Sequence, residues 1–355
     1  FSTEGFSNDY SILYHAHPPT QIISTDPPIN TMPVVAEEKM LQHRCFEGFQ
    51  INPENDFLES RKPVLVNNDC HIVLAAPRES MTRYFYKNAD ADEMIFVHEG
   101  SGVLKTLYGE LPFAYGDYLV IPRGTIYQIE FDDEKNRLFI VESFSSIQTP
   151  KRYRNAFGQL QEHSPYCERD IRPPHEVHIE REKGDYLVQI KKQGYLHQYH
   201  YAHSPLDIVG WDGYLYPYAL SIHDFEPITG RIHQPPPVHQ TFQAWGFVIC
   251  SFVPRLFDYH PLAIPAPYNH SNIDSDEVLY YAEGEFMSRR GIDRGSFTIH
   301  MGGLPHGPHP GTVEKSIGAK ETHEYAVMLD THRPLFITTD ALEFVDKNYP
   351  MSWTE

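Results

Sequence analysis

A repeat constrains this chain more than any other feature. Residues 86–100 read YKNADADEMIFVHEG, and residues 270–284 read HSNIDSDEVLYYAEG. Asn88, Asp90, Asp92, Glu93 and Gly100 in the first stretch match Asn272, Asp274, Asp276, Glu277 and Gly284 in the second. A further pair follows without gaps: GDYLVIPRGTIY at 116–127 against GSFTIHMGGLPH at 295–306. Each copy reads as a polar turn, an apolar strand, a glycine turn and another strand. Two copies of such a unit predict a duplicated β-domain rather than a solenoid, which needs three or more.

The copies differ where chemistry would sit. His270, His300 and His306 of the second copy stand opposite Tyr86, Ile121 and Tyr127 of the first, while Glu277 keeps its counterpart Glu93. A fold that itself required histidine there would show it twice. The difference predicts one metal site, in the second copy, and a metal-free structural copy before it. Two imidazoles and a carboxylate, His270, Glu277 and His306, can take one face of an octahedron and leave three positions open, as in non-heme Fe(II) oxygenases. Zinc accepts the same donors, but the helical HExxH of His2Glu zinc hydrolases is absent; Mn(II) also fits. Asp274 and Asp276 recur in both copies, which favours turn geometry over metal binding. Glu93 lacks histidine companions and reads as a salt-bridging or capping carboxylate.

The remainder reads as mainly β. Short apolar or alternating runs at 94–97, 118–121, 138–141, 186–190, 247–252, 278–281, 297–300 and 325–329 are strand candidates, separated by Gly, Pro, Asn and Asp. Their number and spacing suggest sandwiches or barrels. Residues 1–60 read as irregular strands and loops. We expect one domain over 1–150, a polar bridge over 151–180 and a second domain over 181–355. The formal charge of −19 opposes partnership with nucleic acid or an anionic membrane. No uncharged apolar run approaches the roughly 20 residues of a membrane span, and the opening FSTEGFSNDY shows no signal peptide. The four cysteines form no CxxC, which suits a reducing cytoplasm.

The arrangement H-x-N-x4-E-x6-G followed by G-x9-P-H resembles the two signature motifs of the cupin superfamily, with Asn272 where the usual first motif has a second histidine. A longer match is more specific. WDGYLYPYA (211–219), PYNHSNIDSDE (267–277), IHMGGLPHGPHPG (299–311), GFSNDYSILYHAHPPT (5–20) and GDYLVIPRGTIY are similar to the homogentisate 1,2-dioxygenase family.

The resemblance implies a duplicated cupin, two β-barrel or jelly-roll domains, with Fe(II) in the second. It implies ring cleavage of 2,5-dihydroxyphenylacetate by O2 in tyrosine and phenylalanine catabolism, and a homo-oligomer of trimers paired into hexamers. Carried over by residue, it makes His270, Glu277 and His306 the iron ligands and His300 a substrate-contacting histidine. It places an acid/base histidine near His233, with His239 as the alternative. Phe286 stands where the family has a substrate-contacting tyrosine, and one extra residue separates His270 from Glu277. An anionic arylacetate in so acidic a protein needs local donors, for which Tyr280, Arg289 and Arg290 are candidates. The competing readings are a metal-dependent cupin of another reaction, such as an isomerase or a dioxygenase for a different hydroxylated aromatic, and a non-enzymatic bicupin storage or binding protein.

Overall fold

A computed structural model describes residues 1–284, 286 and 291–354. The candidates Arg289 and Arg290 lie outside the described residues. The chain is mainly β, and every strand candidate above falls within an observed strand.

Three large sheets are stacked. The middle sheet has eight strands, with Asp92–Glu99 between Asp117–Ile121 and Arg137–Ser143 at its centre. Its central strand is buried on both faces, which explains the nearly unbroken apolar run at 94–97. One face packs Ile95, Val97, Leu119, Ile121 and Ile140 against Tyr86, Leu104, Tyr127 and Ile129 of a seven-stranded outer sheet. The other face packs Met94, Phe96, Tyr118 and Phe139 against Phe247, Ile249, Val278, Tyr280, Phe297 and Leu329 of the third sheet. Alternation along each strand therefore divides the apolar residues between two cores. Each fully buried Phe, Ile or Leu contributes about 1.5–3 kcal/mol.

The third sheet holds the second copy. Asp276–Glu283 lies between Phe297–His300 and Tyr325–Thr331, with Phe247–Phe252 beyond. Its far face is covered by loops rather than by another large sheet among the described residues, and this is the face that carries Glu277 and His300.

The repeat is structural as well as sequential. Ile121 pairs with Glu93 as His300 pairs with Glu277, and Tyr86 pairs with Tyr127 as His270 bridges His306. The turns are copied down to single bonds. Gly124 donates its N–H to the Asn88 carbonyl at 2.8 Å, and Gly303 donates to the Asn272 carbonyl at 2.8 Å. Asp92 accepts from the backbone of Arg123 and Ile147, Asp276 from that of Gly302 and Leu335. Gly116 and Gly295 both have positive φ, and at Gly295 a Cβ would fall 2.0 Å from the Phe49 ring. The recurrent Asn, Asp and Gly are thus the turn framework, with Asp276 spent on backbone donors.

The sheets do not part at 150 and 181. Lys183–Lys192 pairs in parallel with Phe85–Asn88, and Tyr195–His203 follows it in the outer sheet of the first copy. Arg44–Phe46 crosses to the third sheet beside Phe297–His300, while Phe336–Ile337 returns to the middle sheet beside Lys62–Val66. Long-range strand exchange of this kind leaves no mark in local periodicity. Among the described residues no helix is long and apolar enough to cross a membrane.

Candidate metal centre

Antiparallel register puts Glu277 and His300 side by side on the loop-covered face of the third sheet. His270 and His306 are brought over that face by a two-residue bridge in which each backbone N–H donates to the other's carbonyl at 2.8 Å. One donor atom from each of His270, Glu277 and His306 lies within 4.8 Å of the others. His270 Nε2 is 3.9 Å from Glu277 Oε2, and His306 Nε2 is 3.4 Å from Glu277 Oε1. Both ring nitrogens of the buried His306 lack a hydrogen-bond partner. A buried imidazole with an unspent lone pair, facing a carboxylate and a second imidazole, fits a divalent transition metal. The three sequence-predicted ligands are thus brought together.

His300 has a different place. It is fully buried, its Nδ1 lies 2.7 Å from Glu277 Oε1 and its Nε2 lies 2.9 Å from the Tyr349 hydroxyl. A carboxylate can only accept, so Nδ1–H donates to Glu277 and Nε2 accepts the tyrosine O–H. His300 orients the carboxylate; direct contact with a substrate is not what these bonds provide. Burial would raise the Glu277 carboxyl, yet the imidazoles of His270, His300 and His306 hold it well below the usual carboxylate range.

The other predicted site residues are placed apart from the cluster. Tyr280 is one residue out of phase: strand alternation points it away from Glu277, onto the Phe139 ring at 4.6 Å and the His98 Nδ1 at 2.6 Å. It is a joint between the copies, not a substrate contact. Tyr281, on the Glu277 side, meets Phe286 at 4.5 Å between ring centroids. His233 is 64% exposed and lies 3.4 Å from Asp258. The Tyr268 ring contacts both His233 and His270, at 5.7 and 5.4 Å between ring centroids. The prolines behind it open a short 3-10 turn, Pro236–His239, that turns His239 inward onto Phe252 and leaves His233 at the rim. Burial, Arg255 and His233 push His239 down to about 3.

Four neighbours escaped sequence reading. His43 stands edge-on to both His300 and His306; it accepts the Met301 N–H at Nδ1, which leaves Nε2–H to donate to the Pro305 carbonyl. Tyr349 and Trp353 come from the C-terminal turn, with Trp353 5.5 Å from His43 and 4.9 Å from His309. Asp330 lies in register with Glu277 on the adjacent strand, and burial and the Glu277 charge push its carboxyl up to about 7. None of the first three sits in the repeat, so no comparison of copies could find them. Asp330 has a counterpart, Glu142, but in a stretch without a shared motif.

A sequence model described as homogentisate 1,2-dioxygenase N-terminal matches residues 17–222. A protein of Saccharolobus solfataricus, provisionally named a dioxygenase, is 42% identical over 99% of this chain and 92% of its own. The chain belongs to the homogentisate 1,2-dioxygenase family. It is a member of a dioxygenase family, with a His/Glu group that could hold a metal ion. Among solved structures, a cupin 2 conserved barrel protein from Leptotrichia buccalis covers 84% of this chain and all of its own at 12% identity and TM-score 0.35. A provisionally named glyoxylate-induced protein from Pseudomonas aeruginosa covers 91% and 97% at 13% identity and TM-score 0.38.

Proposed function

We propose that this protein is an Fe(II)-dependent, ring-cleaving dioxygenase acting on homogentisate or a related hydroquinone-type aromatic acid. The observation that carries the reading is the convergence of donor atoms from His270, Glu277 and His306 within 4.8 Å of one another, with both ring nitrogens of His306 lacking a hydrogen-bond partner. Three protein donors leave room for a chelating phenolate and O2. Bound there, Fe(II) supplies a Lewis acid and one-electron access to O2.

The chain's own residues do the rest. The Tyr349–His300–Glu277 line of hydrogen bonds holds the carboxylate in one orientation. His43, tied at both nitrogens, walls the cluster beside His300 and His306. Phe286 and Tyr281 offer an aromatic edge on the Glu277 side of the sheet. Acid–base exchange with a substrate hydroxyl falls to His233, at the rim one ring's width from His270. His239 stays neutral at working pH and is too weak a base for the task.

Anaerobic loading with Fe(II), followed by oxygen-uptake assays on homogentisate, gentisate and other hydroquinones, tests the reading. Uptake with a 2,5-dihydroxy aromatic acid, lost in His306→Ala, is expected. Metal retention without uptake on any hydroquinone would leave a binding protein or a cupin of another reaction.

A further inference from the structure

The metal-centre reading, on which this inference rests, accounts for one carboxylate; the sheet presents two. Glu277 and Asp330 are register partners on adjacent strands, so their side chains leave the same face of the sheet side by side. Asp330 Oδ1 is buried and has no hydrogen-bond partner. Asp276, one residue before Glu277 and on the opposite face, shows what a structural aspartate does here: its two oxygens take the backbone N–H groups of Gly302 and Leu335.

The first copy shows how a carboxylate pair at this row is otherwise satisfied. Glu93 and Glu142 are register partners in the same way. Arg61 bonds both, at 2.8 and 2.6 Å, and Lys191 Nζ adds bonds to Glu142 at 2.5 and 2.7 Å. Two buried negative charges meet two positive ones. Among the described residues no arginine or lysine forms an ion pair with Glu277 or Asp330; the ion-pair partners of Glu277 are His270, His300 and His306. A pair of buried carboxylates without a cation is costly. A divalent ion beside them would supply the positive charge that the described residues do not.

Asp330 is not among the three residues whose donor atoms converge within 4.8 Å. Its place is one step outside, where a carboxylate oxygen serves a coordinated water rather than the ion. We infer that Asp330 is the second carboxylate of the metal centre, accepting a hydrogen bond from a water bound to the divalent cation and supplying the charge that Arg61 and Lys191 neutralise in the first copy. Apolar Met328 and Val248 lie beside it on the same face, one on its own strand and one on the next, so the water it holds would have few other partners.

The experiment is a chelator competition with Zn(II), and anaerobically with Fe(II), on the full chain and on Asp330→Asn and Asp330→Glu, with thermal unfolding of the metal-free proteins alongside. Asp330→Asn should weaken metal binding by about 10- to 100-fold, and Asp330→Glu should restore part of it. The metal-free Asp330→Asn protein should unfold at the same or a higher temperature, because a like charge beside Glu277 has been removed. Unchanged metal affinity in Asp330→Asn would overturn the assignment while leaving the metal centre standing. A lowered metal-free midpoint would assign Asp330 a structural role instead. A native chain that binds neither ion would remove the metal centre itself, and Asp330's role with it.

Discussion

The two copies set the same backbone around opposite contents. In the first, Tyr86 and Tyr127 face each other across the strands, the Tyr127 hydroxyl donates to Glu93 at 2.6 Å, and Arg61 enters between Glu93 and Glu142. In the second, His270 and His306 replace the tyrosines, and among the described residues no guanidinium forms an ion pair with Glu277. The first copy carries its cation covalently, on a side chain; on the proposed reading the second has its carboxylates matched from solution. What turns such a unit from brace into metal centre is therefore a handful of side chains. The turns, the glycines and the capping aspartates remain as they were.

The largest effects should follow from exchanging what distinguishes the copies. His306→Ala should abolish metal retention and oxygen uptake, whereas Tyr127→Phe, the matching change in the first copy, should leave both intact and cost about 1–3 kcal/mol of stability through the unpaired Glu93 oxygen. Metal analysis beside denaturant unfolding separates the two. Metal loss in Tyr127→Phe would mean that the copies are not independent.

Next is the built-in cation. Arg61→Leu strands two buried carboxylates, and should cost about 3–5 kcal/mol in urea unfolding. A smaller loss would show that Lys191 alone suffices for Glu142.

A smaller effect is expected at the joint between the copies. Tyr280→Phe removes the hydroxyl that accepts from His98 Nδ1–H, since His98 Nε2 already accepts from Arg294, and should cost about 1–2 kcal/mol with kcat unchanged, because Tyr280 points away from Glu277. A fall in kcat would return it to the substrate side.

The mildest effect is one of pH. Burial, then Arg294, pushes His98 down to about 3. The unfolded chain binds a proton at His98 below about 6.5 while the folded one does not. Its contribution is therefore whole above that pH and is lost as pH falls toward 3, at up to about 1.4 kcal/mol per unit. Acid unfolding of His98→Gln, shallower than that of the native chain, would check it.

How much could be read from the sequence follows from where each signal resides. The grouping of His270, Glu277 and His306 and the duplication were legible because two copies in one chain make their own alignment, and the two copies pair alike in the structure. Glu93 as an ion-paired carboxylate was legible for the same reason. Tyr280 was misplaced because its nearness to Glu277 in sequence says nothing about phase, and one step along a strand reverses the face. The choice between His233 and His239 was not legible, because a proline-rich loop has no periodicity to say which histidine turns in. His43 reaches the cluster from 258 residues before Met301, and Tyr349 from 49 residues after His300, neither within reach of local periodicity. The exchange of Arg44–Phe46 and Phe336–Ile337 between halves was hidden likewise.

The most direct test of the central claim is the metal stoichiometry of the purified chain after anaerobic Fe(II) loading, measured beside Glu277→Gln and Glu93→Gln. One iron per chain is expected, lost in Glu277→Gln and kept in Glu93→Gln. Iron absent from the native chain, or retained at full occupancy in Glu277→Gln, would contradict it.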